Sequence, residues 1–587
     1  MERTRVRASR VIVGLAIALA GGLPFAGCGS GGGSSSEDSG TGTDLDAGED
    51  ASGDTDSDTD DDADSDTDTD TDSDTDTDSD TDSDTSDGSD TSDGSDTGSD
   101  DCLPPNLVCD GACVVGTCDF AVTAIVPVAS GGAGGASDWV CGGAFFTATG
   151  HGFVKGMQLR LGDGRAPVRV VDNHTATFQT PPGPAGDVDV KIELGSDEST
   201  TLKAFTYVKA TVEGDTPWVK ITMSEPHGDV PSVGVLFDGR ALVTGGWVTF
   251  PPPTGWQSGT GFGYVADLFS LGGSATVPAA GAMSTARWNH STVTMLTGKS
   301  AVIGAMGVGT PEACCNSLFI DLFDPTTNLF AKAQGTPTEA FQGPRAVLLV
   351  DGRVLILSYA NTNAQLFDPE TEQFKAVTGA PTIDYWENGP GLQYLTRLRD
   401  GRVLIVTGQG RDAYYFNSDT EAFSIAGKGP AAGPDGLFTL PDGRAIALAG
   451  VIVTAGGSDA TDVIELFDPE TDDAFHAAPY KLLAPRLSSA ATLQRDGSVL
   501  VIAGATGSVP TYYGCGSPAP NEELTATVDL VDPVAGTVKP FAALPESNGF
   551  LIAATMLDGS AIAAGGGDCG LGVPYDYLYF RQAPPIF

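Results

Sequence analysis

Five histidines are the side chains of this sequence best suited to bind a metal ion or to transfer a proton near neutral pH. His151 and His174 stand alone in predicted strand and turn segments, which is typical of surface or turn residues. His227 and His290 occupy matching positions just before apolar strands, and His476 follows a further strand. Because these histidines stand apart from one another in the sequence, we expect no convergent metal site and no bound cofactor.

Motifs for other catalytic chemistry are also missing. The sequence has no GxSxG in a strand-turn-helix context and no SxDxGxxW box. A hydrolase that draws Asp or Glu from several loops has no short motif, so it stays open as an alternative.

Aromatic side chains on long polar segments are the candidates for binding. A rigid scaffold that carries such loops suits recognition of a sugar or a protein. The alternative is that several of these rings pack loop against loop. The candidates are Trp247, Trp256, Phe262, Tyr359, Trp386, Tyr512 and Tyr513.

The N-terminal segment predicts export. Four arginines precede the apolar run VIVGLAIALAGGLPFAG, which is too short and too broken by glycine and proline to span a membrane. Phe25-Ala26-Gly27-Cys28 resembles the lipobox of bacterial lipoproteins, with Phe25 in place of the usual Leu. The resemblance implies a signal peptide at 1–27, a lipid on Cys28 and sorting to the outer membrane or cell surface. The alternative is ordinary cleavage after Ala20.

Residues 28–101 predict an extended, disordered tether. The segment is rich in Gly and Ser and then alternates Asp with Ser or Thr, so it has almost no apolar side chain to offset chain entropy. Much of the formal net charge of −48 falls here, and such an acidic chain offers no basic face for nucleic acid. The DxDxD pattern resembles calcium loops but lacks their terminal Glu and flanking helices, so we expect only weak calcium association.

Residues 102–118 predict a disulfide segment. In an exported protein, Cys102, Cys109, Cys113 and Cys118 are expected to form two bridges, with three connectivities open. A zinc site is the alternative, although paired C-x2-C knuckles are absent.

Residues 119–209 predict a small antiparallel sandwich, because short alternating segments are separated by Gly, Pro and Asn. Thr149-Gly150-His151-Gly152-Phe153, Thr180-Pro181-Pro182 and Phe205-Thr206-Tyr207 resemble the signatures of IPT/TIG domains, which have an immunoglobulin-like fold. The insertion SGGAGGASDWVCGG departs from that pattern. The resemblance implies a spacer or a protein-contact module.

Residues 215–587 contain a repeat with a period of roughly 53 residues. Each unit has an apolar strand, an Asp-Gly or similar turn, a second apolar strand, a variable loop and an outer strand, with the turn interpreted as type I′. The aromatic pairs seven residues apart, such as Phe323 with Phe330, predict one four-stranded sheet per unit. The turn glycines are Gly239, Gly298, Gly352, Gly401, Gly443, Gly497 and Gly559.

Arg287, His290 and the pairs Gly245-Gly246 and Gly565-Gly566 make these units similar to kelch repeats of the galactose-oxidase-like class. The resemblance implies an all-β fold with a β-propeller of seven blades, or six if the fourth or fifth unit is incomplete. The strand after Trp218 is expected to complete the last sheet and to close the ring.

The long loops are expected on the face opposite the Asp-Gly turns. Because Cys515 and Cys569 lie on neighbouring loops of that face, we predict a bridge between them. Cys314 and Cys315 form a vicinal bridge or pair elsewhere, which leaves Cys141 as the odd thiol.

The sequence therefore predicts a non-catalytic lipoprotein at the cell surface, held to the membrane only through its N-terminal lipid. Its propeller loop face would bind carbohydrate or protein. The alternative is a secreted oxidase of the galactose-oxidase type, or a propeller hydrolase with an unrecognised site.

Overall fold

The structure, a computed structural model, describes part of the chain. All regular elements in the described ranges are β strands, and no helix within them is long and apolar enough to cross a membrane. The predicted signal peptide, Cys28 and the tether lie outside these ranges. The described residues are 106–109, 112–115, 120–130, 133–210, 212, 216–228, 230–249, 260–304, 319–341, 343–358, 363–381, 395–454, 457–509, 523–568, 573–574 and 577–583.

A hairpin of β1 (Asn106–Cys109) and β2 (Ala112–Val115) precedes the sandwich. Its register pairs Val108 with Cys113 and Cys109 with Ala112. The side chains of this hairpin, together with Cys102 and Cys118, lie outside the described residues, so the two predicted bridges stay a prediction.

Nine strands form the sandwich. One sheet has the order β3-β5-β9-β8 and the other β4-β11-β10-β6-β7. Phe146, Phe178, Phe205 and Tyr207 fill the space between them, each at most 1% exposed. The strands are β3 (Ala121–Pro127), β4 (Ser137–Trp139), β5 (Phe145–His151), β6 (Gln158–Leu161), β7 (Gly164–Ala166), β8 (Val168–Asp172), β9 (Thr175–Gln179), β10 (Gly186–Leu194) and β11 (Asp197–Val208).

After the sandwich, the described strands form seven four-stranded antiparallel sheets, here called sheets 1 to 7. Short hairpins and single strands are added on the loops. The strands through sheet 4 are β12 (Val219–Thr222); β13 (Ser232–Val235), β14 (Ala241–Thr244), β15 (Trp247–Thr249), β16 (Thr260–Phe262), β17 (Ala266–Phe269) and β18 (Thr276–Pro278); β19 (Ser291–Thr294), β20 (Ser300–Ile303), β21 (Ile320–Asp324) and β22 (Leu329–Lys332); β23 (Arg345–Leu348), β24 (Val354–Leu357), β25 (Asn363–Asp368) and β26 (Gln373–Thr378); β27 (Leu395–Arg397), β28 (Val403–Val406), β29 (Asp412–Asn417) and β30 (Ala422–Lys428).

Sheets 5 to 7 follow the same plan. Sheets 1 to 6 use the main strands of consecutive units, whereas sheet 7 has the order β12-β47-β45-β44. Their strands are β31 (Gly436–Thr439), β32 (Ala445–Leu448), β33 (Val451–Thr454), β34 (Gly457–Ala460), β35 (Ile464–Phe467) and β36 (Phe475–Ala477); β37 (Ala490–Leu493), β38 (Val499–Ile502), β39 (Ala505–Thr506), β40 (Ser508–Val509), β41 (Glu523–Leu524), β42 (Val528–Asp532) and β43 (Thr537–Phe541); β44 (Gly549–Thr555), β45 (Ala561–Asp568), β46 (Val573–Pro574) and β47 (Tyr577–Arg581).

The seven sheets close into a ring, here called the sheet ring. The inner strand of each sheet contacts the inner strands of the sheets before and after it, and β44 of sheet 7 contacts β13 of sheet 1. The predicted completion of the last sheet is confirmed, because β12 pairs antiparallel with β47 from Val219–Phe580 to Thr222–Tyr577. The ring is thus held shut by pairing between its first and last strands.

The aromatic pairs of the repeat are cross-strand partners on the two outer strands of a sheet. Phe323 faces Phe330 with ring centroids 4.9 Å apart, and Phe367 faces Phe374 at 5.0 Å. Such pairs stabilise the sheet beyond simple burial.

The Asp-Gly turns differ in type from the prediction. In the first turn Gly239 N donates to Leu236 O, Leu236 N donates to Arg240 O, and Gly239 alone takes a positive φ, at 87°. This is a type I turn followed by a G1 bulge rather than a type I′ turn, and the same bonds recur in all seven described turns. The Asp residue keeps a negative φ, and its carboxylate accepts a hydrogen bond from the backbone N–H two residues later, as Asp238 does from Arg240 N.

Candidate functional site

The Asp-Gly and similar turns lie on one face of the sheet ring, here called the turn face, and the opposite face is called the loop face. The sandwich packs against the turn face. Arg165 N donates to Arg399 O at 2.7 Å, and Val168 N donates to Val350 O at 3.1 Å. The Arg165 guanidinium also binds Asp419 through two bonds of 2.8 and 3.0 Å. Turns of six of the seven sheets contact the sandwich through bonds or packing, at Phe237, Leu296, Val350, Arg399, Arg495 and Leu557.

The glycine-rich insertion of the sandwich reaches the axis of the ring. It forms β4, which adds parallel to β11 and brings Asp138, Trp139 and Cys141 to the ends of the inner strands. Trp139 is 3% exposed, and its indole N–H donates to Leu557 O at 2.8 Å. The segment that departs from the domain pattern therefore forms the floor of the central channel.

Cys141 is a free thiol on this floor. Burial first, and then the carboxylates of Asp138 and Asp496, raise its pKa well above the usual value. Because the thiolate is the reactive form, we expect Cys141 in the folded protein to react with iodoacetamide at pH 8 roughly tenfold or more slowly than in urea. Trp139→Ala should raise the native rate, as followed by mass spectrometry of the Cys141 peptide. An equal rate in native and unfolded protein would contradict the raised pKa of the Cys141 thiol.

The central channel is a cavity of about 510 Å³ between this floor and the loop face. Its walls are the inner strands of all seven sheets, which supply alternating apolar and hydroxyl side chains. The hydroxyls bridge neighbouring sheets: Thr396 and Thr439 lie 3.0 Å apart, and Thr492 and Thr555 lie 2.8 Å apart. A cavity of this size fits a small molecule or the end of a chain.

The loop-face end of the channel has an unusual backbone. Residues just before or at the start of several inner strands take a positive φ, including Val230, Asn289, Ser488 and Phe550 at 49°, 48°, 52° and 58°. Their backbones join adjacent sheets, because Phe550 N donates to Ser488 O, Val230 N to Phe550 O and Asn289 N to Val230 O. Non-glycine residues held in this region carry strain that the surrounding bonds must offset.

His290 and Arg345 line this end of the channel. His290 Nε2 lies 2.8 Å from Thr244 Oγ1, while Nδ1 is buried and has no hydrogen-bond partner among the described residues. Burial, and then the charges of Arg287, His227 and Arg345, lower the pKa of His290 well below its usual value. The imidazole is therefore neutral at physiological pH.

Asp435 is a buried carboxylate at the start of β31, where it accepts bonds of 2.8 Å from Ser489 N and Oγ. Burial raises its pKa to about 7, against about 3.9 in an unfolded chain. Between these values the folded state binds more protons, so this group makes the protein less stable as pH rises from about 4 to 7.

We therefore expect Asp435→Asn to melt close to the wild type at pH 4 and a few degrees higher at pH 8. Differential scanning calorimetry at both values measures this, with Glu470→Gln, an exposed acid, as the control. A wild-type advantage at pH 8 would mean that the ionised Asp435 stabilises its site.

The histidine predictions are partly revised. His227 and His290 do not play matching roles, because His227 Nε2 binds Asp267 at 3.2 Å inside sheet 1. Arg287 makes the corresponding bond to Asp321 in sheet 2, and Arg486 binds Asp529 in sheet 6, each at 2.7 Å. His476 is exposed and lies 2.6 Å from Asp472, and His174 Nδ1 lies 3.0 Å from Gly150 O.

The aromatic candidates remain predictions. Trp247 and Phe262 are register partners on the hairpin β15–β16, although their side chains are not described. Trp256, Tyr359, Trp386, Tyr512 and Tyr513 lie outside the described residues, as do Cys314, Cys315, Cys515 and Cys569. In the part of the chain that the structure describes, no three His, Cys, Asp or Glu side chains are grouped as metal ligands.

Sequence reasoning missed Arg345, Arg397, Asp435 and the floor residues Asp138 and Trp139. The interruption of the domain pattern by the insertion was the one local signal for the floor. The other residues belong to strands from different repeats, so no spacing in the sequence marks them as neighbours.

Comparison with protein families identifies the sandwich. Residues 122–207 match the IPT/TIG domain, and no curated protein matches the chain. In the part of the chain that the structure describes, the fold is all-β, with an IPT/TIG domain followed by the propeller-like sheet ring.

Similar solved structures include a fungal alcohol oxidase of the AA5 family in complex with copper, at 15% identity and a TM-score of 0.48, covering 63% of this chain and 76% of that one. A protein of unknown function from Bacteroides thetaiotaomicron has 11% identity and a TM-score of 0.33, covering 79% and 98%. Virginiamycin B lyase from Staphylococcus aureus has 8% identity and a TM-score of 0.39, covering 63% and 100%. These values are too low to transfer an activity or a ligand.

Proposed function

We propose that this protein is an exported, lipid-anchored binding protein whose seven sheets are the blades of a seven-bladed propeller. Its loop face binds carbohydrate or protein, and it has no catalytic role. One observation carries the assignment of the face: the IPT/TIG domain covers the turn face and lines the floor of the channel. A ligand therefore approaches from the loop face, where the predicted aromatic residues are carried.

The docked domain also gives this arrangement its rigidity. Backbone bonds, the Arg165–Asp419 pair and the packing of Phe145 on Phe237, with centroids 4.9 Å apart, join the domain to the ring. Binding loops on a rigid scaffold lose little conformational entropy when they engage a partner.

A glycan array and metal analysis of the purified protein test this proposal against the alternative of an oxidase or hydrolase. We expect retained sugars, or a captured surface protein, without stoichiometric metal. One copper per chain together with oxidation of an alcohol substrate would overturn it in favour of an oxidase, and hydrolysis of a retained glycan would overturn it in favour of a hydrolase.

The lipid anchor has its own test. Cys28→Ser should move the protein from the detergent phase to the aqueous phase, because the acyl chains supply the membrane affinity. Unchanged partitioning would refute an anchor at Cys28.

A further inference from the structure

The channel has a charge balance opposite to that of the whole protein. The formal net charge of the chain is −48, yet the described charged side chains that line the channel are Arg345 and Arg397 against Asp138. The Asp138 carboxylate accepts bonds from Trp139 N, Ala144 N and the Thr180 hydroxyl, and burial raises its pKa. The lining therefore offers a ligand more positive than negative charge.

Arg397 is bound by neutral groups. Its guanidinium donates to Leu348 O at 2.6 Å and to Gln179 Oε1 at 3.2 Å, and both acceptors are uncharged. Burial lowers its pKa to about 10, which leaves it protonated at neutral pH. A charge held this way in a cleft attracts an anion strongly, because the surrounding protein screens it less than water does.

His290 adds a free polar atom at the other end of the channel. The side chain is 5% exposed, and its Nδ1 has no hydrogen-bond partner among the described residues. Three basic neighbours, Arg287, His227 and Arg345, each lower the pKa of His290. The electrostatic potential at the imidazole is therefore positive. A neutral imidazole in such a place is suited to hydrogen-bond a polar ligand that carries negative charge elsewhere.

The hydroxyl groups of the walls define the rest of the ligand. Thr439 Oγ1 donates to Arg397 O at 2.9 Å, and Thr294 Oγ1 donates to Val235 O at 2.8 Å. Because these protons are used, the neighbouring hydroxyls of Thr396 and Ser300, at 3.0 and 2.8 Å, donate to them. Each of the two threonine oxygens keeps one lone pair that accepts a bond from a ligand hydroxyl group.

From this geometry we propose that the channel binds the carboxylate-bearing end of an acidic sugar, with its carboxylate at the Arg397 guanidinium and its hydroxyls at the threonine oxygens and His290. This inference rests on the proposed binding function and names its ligand class. Guanidinium groups favour carboxylates through paired hydrogen bonds. An acidic sugar combines the anion and the several hydroxyl donors that the lining requires.

Calorimetric titration of the full-length protein in detergent tests the inference, with galacturonate, galactose and an acidic peptide as probes. We expect galacturonate to bind and galactose to bind at least about tenfold more weakly.

Arg397→Gln should weaken galacturonate binding by about 10- to 100-fold, as expected for loss of a charged hydrogen bond. Arg444→Gln, which removes an arginine from an exposed turn, is the matched control and should bind as the wild type does. His290→Gln should cause a smaller loss.

The outcomes separate this inference from the proposed function. Equal binding of galactose and galacturonate, or an Arg397→Gln variant that melts and binds like the wild type, overturns the acidic-sugar assignment and leaves the binding function standing. Binding of the acidic peptide alone replaces the sugar with a protein ligand. If no probe binds and neither glycan nor protein is retained, both proposals fail.

Discussion

Trp218→Ala should lower the free energy of unfolding by about 3–5 kcal/mol, because it removes a buried indole from the closure of the sheet ring. Trp218 is 5% exposed and packs with Tyr579 and Leu551 of sheet 7. Its Nε1 donates to Ala542 O, at the end of sheet 6, at 2.8 Å. The Trp218 side chain thus connects the start of β12 to both sheet 6 and sheet 7.

The midpoint of urea unfolding, followed by tryptophan fluorescence and circular dichroism, measures this effect. Val219→Ala is the matched control, since Val219 is the adjacent residue and is 52% exposed. We expect it to cost well under 1 kcal/mol. Similar losses in the two variants would mean that the indole does not hold the ring closed.

Asp529→Ala should lower the free energy of unfolding by about 3–5 kcal/mol, because it leaves the Arg486 guanidinium buried without its carboxylate. Both side chains are 1% exposed and lie 2.7 Å apart. Burial already lowers the pKa of Arg486, which shows the cost of keeping this charge inside the protein. Asp529 also accepts a bond of 2.9 Å from Leu483 N, in the segment that connects sheets 5 and 6.

Two further variants give this experiment its contrast. Asp400→Ala removes an exposed carboxylate that binds Arg402 at the protein surface and should cost about 0–1 kcal/mol. Adding Arg486→Met to Asp529→Ala should recover part of the loss, because the unpaired charge disappears. If Asp529→Ala lowers the free energy of unfolding in urea no more than Asp400→Ala does, the buried Arg486–Asp529 pair does not stabilise the protein more than a surface pair.

Several features of the fold could be predicted because they depend on local patterns. Alternating apolar residues mark strands, Asp-Gly marks hairpins, and aromatic residues seven apart become partners across the outer strands, as with Phe323 and Phe330. The type of turn was wrong because Asp-Gly fits two hairpin geometries, and the choice between them depends on whether Asp or only Gly takes a positive φ.

The candidate site was less predictable, because it does not depend on a local pattern. His290, Arg345 and Arg397 lie in three different repeats, and their arrangement around the channel depends on the closure of the ring. Whether a buried group ionises also depends on what surrounds it. The pKa of Asp435 near 7 could not be read from the residue and its neighbours in the chain.

Local sequence patterns were enough to predict the strands, the repeat, the position of the IPT/TIG domain and the strand that completes the last sheet. Each of these follows from periodicity or turn chemistry within a few tens of residues. The packing of the domain on the turn face, where it forms the floor of the channel, became visible only in the folded protein. That arrangement depends on contacts such as Trp139 to Leu557, which are 418 residues apart, and such contacts arise from the shape and charge of two folded surfaces.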